Sequence, residues 1–293
     1  MKKLLITDLD NTLYDWVSFF AQSFGAMLEK TVEITGIDRD ELVDDFKQVH
    51  QYHSNTEYPF SIFELDSIQE KYKTKDKEVL KLHLDEALHS FNSKRKKVLK
   101  CYSGVIDTLE YMSQKGVKIV AHTEAPVRNS LYRLEKLGIK GYFSHLYAPK
   151  DKFHDDLDEH TLQWLQKHEN SLRLLSKNEL KPNPNLLLDI CSKEGVQPSE
   201  AVYIGDSIVK DISMANEAGI SSVWAEYGKQ HSPEFWQLLV SITHWTPADV
   251  EREESLKKAL SDSKPNYIAQ SFSDLIELFD WQGVQAKSSV DLQ

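Results

Sequence analysis

The sequence predicts an α/β protein in which a parallel β-sheet flanked by helices is interrupted near its start by an all-α domain. Three observations carry that expectation. From Gly104 onward, short apolar runs alternate with helical segments across brief connections, the βαβ pattern that winds right-handedly into a parallel sheet. The chain opens with Leu4-Leu5-Ile6, an apolar run that reads as a buried strand and stops at the carboxylates Asp8 and Asp10. Between this strand and the next β-type run stands a helical block from Asp15 to about Lys100, more than the single helix a crossover needs.

Within that block Trp16, Phe20, Phe24, Met27 and Leu28 recur at three-to-four spacing and give one wide apolar stripe, read as the block's own core. Asp38 is placed to cap a second helix running to about His50, with Glu41 in the capping-box position. A polar loop over His53 to Phe60 precedes two more helices, near Ile62 to Tyr72 and from Asp76 to about Phe91. Strands are then expected at Val117–Ala121, Tyr142–Tyr147, Ala201–Ile204 and Ile220–Ala225. Helices are expected at Val105–Gln114, Val127–Leu137, Leu186–Ser192 and Lys210–Ala218, with a last strand and helix over Tyr267–Phe279.

Two segments break the alternation. Lys150 to Glu179 is polar and helix-forming, with Leu157, Leu162, Leu165, Leu172 and Leu175, and reads as an extra helical insertion at 150–180. Its helix is expected to pack on the core or on a second copy of the chain, in a homo-oligomer. Its histidines, His154, His160 and His168, lack metal-ligand spacing, and Asp155-Asp156-Leu157-Asp158 lacks the glycine and final glutamate of a calcium loop. Gln230 to about Ser263 carries Trp236, Leu238, Leu239 and Trp245 and is expected to be packed. The resulting organisation is an α/β core at 1–14 and 101–281, a helical domain at 15–100, and a fraying polar tail at 282–293.

A net charge of -11 over 293 residues, with no basic block set among aromatics, argues against a nucleic-acid or acidic-membrane partner. Lys94-Arg95-Lys96-Lys97 reads as the solvated end of a helix. Two cysteines, Cys101 and Cys191, sit far apart and outside any Cys-x-x-Cys spacing, as befits a reducing, cytoplasmic compartment. Asp8 and Asp10 interrupt the opening apolar run before it could serve as a signal peptide.

In an open α/β sheet ligands sit beyond the carboxyl ends of the strands, which is where Asp8 and Asp10 fall. Three further segments follow in order: Thr123 after the run Val117–Ala121, Lys181 opening Lys-Pro-Asn-Pro, and Gly205-Asp206-Ser207 with Asp211 after Ala201–Ile204. Together with Asp8-Leu9-Asp10-Asn11-Thr12, this set resembles the ordered motifs of the haloacid dehalogenase-like (HAD) hydrolases. The resemblance covers roughly Met1 to Tyr14 and Ser103 to Gly228. It implies a Rossmann-like core with an α-helical cap inserted after the first motif, closing over the catalytic crevice.

The resemblance also implies roles. Asp8 would be the nucleophile, forming an aspartyl-phosphate, and Asp10 the general acid and then base. Mg²⁺ would be held by the side chains of Asp8 and Asp206 and the main-chain carbonyl of Asp10, with Asp211 and Ser207 in the layer behind, Asp211 close to Lys181. Thr123, the amides of Glu124 and Ala125, Lys181 and Asn11 would surround the phosphate. Read without the neighbouring motifs, Lys181 is a solvated lysine, Asp211 a residue favoured by a helix dipole, and His122 a hydrogen-bonded histidine at a strand end. A carboxylate two residues after the nucleophile favours phosphoryl transfer over dehalogenation, because halide leaves without a proton. The expected function is a Mg²⁺-dependent phosphatase of a small phosphorylated metabolite. A phosphomutase, or a non-catalytic phospholigand-binding or assembly protein, are the alternatives.

Overall fold

Leu4, Leu5 and Ile6 are fully buried, as a strand covered on both faces requires. They form β1 (Leu4–Thr7) in a computed structural model that describes residues 1–58, 60–151, 158–259 and 263–283. Six further strands follow: β2 (Lys118–His122), β3 (His145–Pro149), β4 (Leu172–Leu175), β5 (Ala201–Gly205), β6 (Ser221–Ala225) and β7 (Tyr267–Ala269). Among the described residues they form one parallel sheet in the order β4-β3-β2-β1-β5-β6-β7. β1 is central, with Thr7 level with Ala121 of β2 on one side and Ile204 of β5 on the other.

The helices, in chain order, begin with α1 (Trp16–Thr35), α2 (Arg39–His53), α3 (Asp66–Tyr72) and α4 (Lys77–Val98). Asp38 caps α2 by accepting from the amides of Asp40 and Glu41, and Asp76 caps α4 in the same way. Then come α5 (Val105–Gln114), α6 (Val127–Lys136), α7 (Glu159–Gln166), α8 (Pro184–Glu194) and α9 (Ser213–Glu217). The last are α10 (Pro233–Ile242), α11 (Pro247–Ala259) and the short α12 (Leu275–Leu278). No helix among the described residues is long and apolar enough to cross a membrane.

The chain divides into two compact units. The α/β unit comprises Met1–Asp15, Lys100–Gln230 and Leu260–Gln293, and the helical unit Trp16–Leu99 with His231–Ala259. In the α/β unit, Leu187 and Ile190 of α8 and Met214 and Ala215 at α9 cover Leu4, Ile6 and Tyr203 of the sheet. In the helical unit α1 packs along α4 and α10, and its aromatic stripe turns inward: Phe20 stacks on Phe24, whose ring meets Phe46 edge-on at 4.8 Å.

Three boundaries differ from the sequence reading. The segment 231–259, assigned there to the α/β core, joins the helical unit. Its apolar residues cover α1, with Leu238 3.6 Å from where a β-carbon on Gly25 would stand, and the Ile242 carbonyl accepts from His50 Nδ1 of α2 at 2.7 Å. Periodicity shows that such a segment has an apolar face but not which surface it covers.

The expected helical insertion at 150–180 is only partly helical. After α7 the chain turns into β4, which pairs with β3 and extends the sheet by an edge strand. Four residues, Leu172-Arg173-Leu174-Leu175, were too few to outweigh the helical composition around them. Of this segment, Leu157, His154, Asp155 and Asp156 lie outside the described residues, as does Pro59 of the loop before α3. In the tail, Gln282 and Gly283 are held by hydrogen bonds to the carbonyls of Lys2 and Lys115, both at 2.9 Å, and 284–293 lie outside the described residues.

Candidate active site

The strand order sets the carboxyl ends of β2, β1 and β5 side by side, so Thr123, Asp8 and Asp206 emerge at one edge of the sheet although they are far apart in sequence. The amide of Asp8 still donates to Ile204 O at 2.9 Å, which ties the start of its loop to β5. Asn11 turns the loop with a left-handed backbone (φ 56°), a conformation asparagine tolerates, and its amide donates to Tyr14 O at 2.9 Å.

Lys181 arrives from the loop between β4 and α8. Its ammonium, 3% exposed, donates to Asp8 Oδ1 at 2.5 Å and to Asp211 Oδ1 at 2.8 Å. The second Asp8 oxygen accepts from Thr12 Oγ1 at 3.2 Å. Asp211 is satisfied on both oxygens: Tyr203 OH also donates to Oδ1 at 3.2 Å and the Ser207 amide to Oδ2 at 3.0 Å. Asp211 lies in a π-helical turn (Ile208–Ile212) that precedes α9, with Ser207 Oγ accepting from the Lys210 amide. Asp206 is anchored through its carbonyl, which accepts from Trp224 Nε1 at 2.9 Å, and its carboxylate meets Lys229 at 3.3 Å.

Two glycines allow this crowding. A β-carbon at Gly205 would collide with the Asp211 carboxylate, and one at Gly228 would strike the Asn11 carbonyl and press on Asp206.

Carboxylate oxygens of Asp8, Asp206 and Asp211 lie within 4.8 Å of one another. Burial, opposed by Lys181 but reinforced by Asp211 and Asp206, pushes the Asp8 carboxyl well above its usual range. Asp206 is raised as well, by burial against the pull of Lys229. Burial works against the Lys181 ammonium, yet Asp211 and Asp8 outweigh it and hold its pKa well above the usual value. Like charge is thus concentrated where hard oxygen donors converge, an arrangement that a divalent cation relieves and that suits its preference for oxygen. Among the described residues Asp211 accepts three hydrogen bonds from protein donors, against two for Asp8 and a single lysine contact for the Asp206 carboxylate, so Asp8 and Asp206 are better placed to hold an ion.

The remaining expected residues divide. Thr123 is buried, its amide donating to Tyr147 O and its hydroxyl accepting from the Ala125 amide at 3.0 Å. That amide therefore does not stand open for a phosphate, as the sequence reading has it. Glu124 turns its carboxylate to Lys210 at 2.7 Å. Asp10 pairs with Arg133 of α6, Oδ1 to Nη1 at 3.1 Å. His122 is fully buried and its pKa lies well below the ordinary value, through burial first and Lys181 second. Its Nδ1 is 3.3 Å from Tyr203 OH, while Nε2 has no hydrogen-bond partner among the described residues.

Sequence reasoning missed Arg133, Tyr203, Lys229, Gly228 and Tyr227, whose hydroxyl donates to Thr12 O at 2.7 Å. The one available signal was Arg133, a cation set among the apolar positions Val127, Leu131 and Leu134 of an otherwise amphipathic helix.

Residues 2–219 match the family model of the haloacid dehalogenase-like hydrolases, and residues 180–275 match a second, HAD-hydrolase-like model. The chain belongs to the haloacid dehalogenase-like hydrolases. It is 26% identical over 239 residues to a glyceraldehyde 3-phosphate phosphatase of Methanopyrus kandleri, covering 80% of this chain and 88% of that protein. It is also 26% identical over 130 residues to phosphoglycolate phosphatase 1 of Pseudomonas aeruginosa, a match spanning 44% of this chain and only 38% of that protein. Among solved structures, a 2-haloacid dehalogenase of Pseudomonas syringae pv. tomato shares the fold, with a TM-score of 0.53 and 19% identity over 95% of this chain and 98% of that one.

Proposed function

We propose that this hydrolase is a Mg²⁺-dependent phosphatase of a small phosphorylated metabolite. The observation that carries the reading is Lys181 joined to both Asp8 and Asp211, in a cluster whose carboxylates converge within 4.8 Å. The phosphatase names of the two relatives, both for small phosphate esters, support the substrate class.

In this reading an Asp8 oxygen attacks phosphorus. The ester P–O bond breaks, its electron pair passes to the leaving oxygen, and Asp10 supplies the proton that makes it an alcohol. Water then attacks the aspartyl-phosphate and gives its proton to Asp10, and the Asp8–phosphorus bond breaks to release inorganic phosphate. Lys181 holds Asp8 in place and offsets charge on the transferring oxygens, while Asp211 and Tyr203 orient Lys181. Asp8, Asp206 and the Asp10 carbonyl would hold the divalent ion, which supplies charge stabilisation to the transferring phosphoryl group. The helical unit follows the Asp8–Thr12 loop in the chain, and we take it as the cap sequence in which substrate choice resides.

The test is release of inorganic phosphate from a panel of phosphorylated metabolites. Turnover that needs Mg²⁺, stops with EDTA and vanishes in Asp8→Asn is expected. Turnover that survives either treatment overturns the proposal.

A further inference from the structure

We propose that Arg133 is the positioning residue for Asp10, an inference that rests on the acid–base role given to Asp10 above. Arg133 lies on the buried side of α6 between Leu131 and Leu134, and its side chain is only 3% exposed. A guanidinium carried into an apolar helix face is costly unless a carboxylate meets it. The carboxylate that meets it is Asp10, at 3.1 Å, and the Tyr14 ring lies under the guanidinium at 6.0 Å from its centroid. Tyr14 also bridges the backbone of Asp10 and receives the Asn11 amide, so the same tyrosine braces both the loop and the arginine.

The Asp10 side chain is nevertheless 24% exposed, so it is held on one side and reachable on the other. Arginine suits this task chemically. It donates in fixed directions and never accepts or loses a proton, so it can orient Asp10 in both protonation states without competing for the proton Asp10 transfers.

A positioning role makes a prediction that loss of packing does not. The value of kcat/KM reports the steps through phosphoryl transfer to Asp8, and in those steps only a basic leaving oxygen needs the Asp10 proton. 4-Nitrophenolate leaves without it, whereas the alkoxide of glycerol 2-phosphate does not. The ratio of kcat/KM for these two esters is also independent of the fraction of enzyme that is folded.

In Arg133→Met that ratio is expected to shift about tenfold or more in favour of the nitrophenyl ester, as withdrawal of general-acid catalysis would produce. Asp10→Asn should shift it at least as far, Arg133→Lys less, and Arg133→Met added to Asp10→Asn should change it by less than about threefold. A ratio unmoved by Arg133→Met but moved by Asp10→Asn overturns the inference and leaves the phosphatase reading intact, as does full additivity in the double variant. A ratio unmoved by Asp10→Asn overturns the acid–base role given to Asp10 and the inference with it.

Discussion

The ammonium of Lys181 lies 2.8 Å from Asp211 Oδ1, and through this contact a loop residue is fixed against a carboxylate that the chain reaches only after another strand. Lys181→Met would leave Asp8 and Asp211 facing each other in a buried space. A loss of about 3–5 kcal/mol of stability is expected, the range for removing one partner of a buried pair, together with a fall in phosphate release of about a hundredfold or more. Urea melts at neutral pH and steady-state assays check both.

The clash that a β-carbon at Gly205 would make with Asp211 gives a second prediction. Gly205→Ala should cost about 1–3 kcal/mol through overpacking, and should lower activity by displacing Asp211 from Lys181. The same substitution at Gly195, where a β-carbon meets nothing within 4 Å but φ is +68°, should affect stability and spare turnover. Equal losses of activity at the two sites would count against the role given to Asp211.

Crowding of Asp8, Asp206 and Asp211 within 4.8 Å should make thermal stability respond to cations. Mg²⁺ at about 100 times its Kd is expected to stabilise the folded chain by about 2.7 kcal/mol, seen as a rise in Tm. Asp206→Asn should largely abolish that rise, because it removes a proposed ligand. A Tm indifferent to Mg²⁺ in the wild type would remove the basis for the metal.

The helical unit carries its own pH dependence. His50, almost fully buried, donates from Nδ1 to Ile242 O at 2.7 Å and is packed against the rings of Phe24 and Phe46. Burial lowers its pKa from 6.5 to about 4, helped by His244 and His53 and opposed by the Ile242 carbonyl. Because the folded-state value lies below the unfolded one, the stabilisation is complete above about pH 6.5 and is lost as pH falls toward 4. The loss should reach about 3 kcal/mol by the lower limit. His50→Asn keeps a donor near Ile242 but cannot titrate, so the wild-type chain should lose that much more stability than the variant between the two pH values.

Much of this fold was legible beforehand because it rests on local periodicity. β1, α5, α6 and the strands ending in His122 and Gly205 announce themselves by apolar runs and by capping or turn residues within a few positions. The site residues on those strand ends were legible for a related reason: a carboxylate or hydroxyl directly after a buried strand has few structural uses. Asp8, Lys181 and Asp211 were all named from the sequence, and they meet at hydrogen-bonding distance. β4 was hidden because an edge strand of four residues has almost no pattern of its own.

By itself, then, the sequence determined the parallel α/β core, the helical interruption after Tyr14, and the ordered acidic and basic residues from Asp8 to Asp211. Tertiary structure alone decided that 231–259 belongs to the helical unit, that Asp10 pairs with Arg133 of α6, and that Tyr203 stands behind Asp211. The physical reason is the range of the interactions involved. Periodicity and capping act over a few residues and leave their mark in the local sequence, whereas an ion pair or an apolar face specifies only the kind of partner it requires. Which partner it finds is settled when the strands take their order in the sheet.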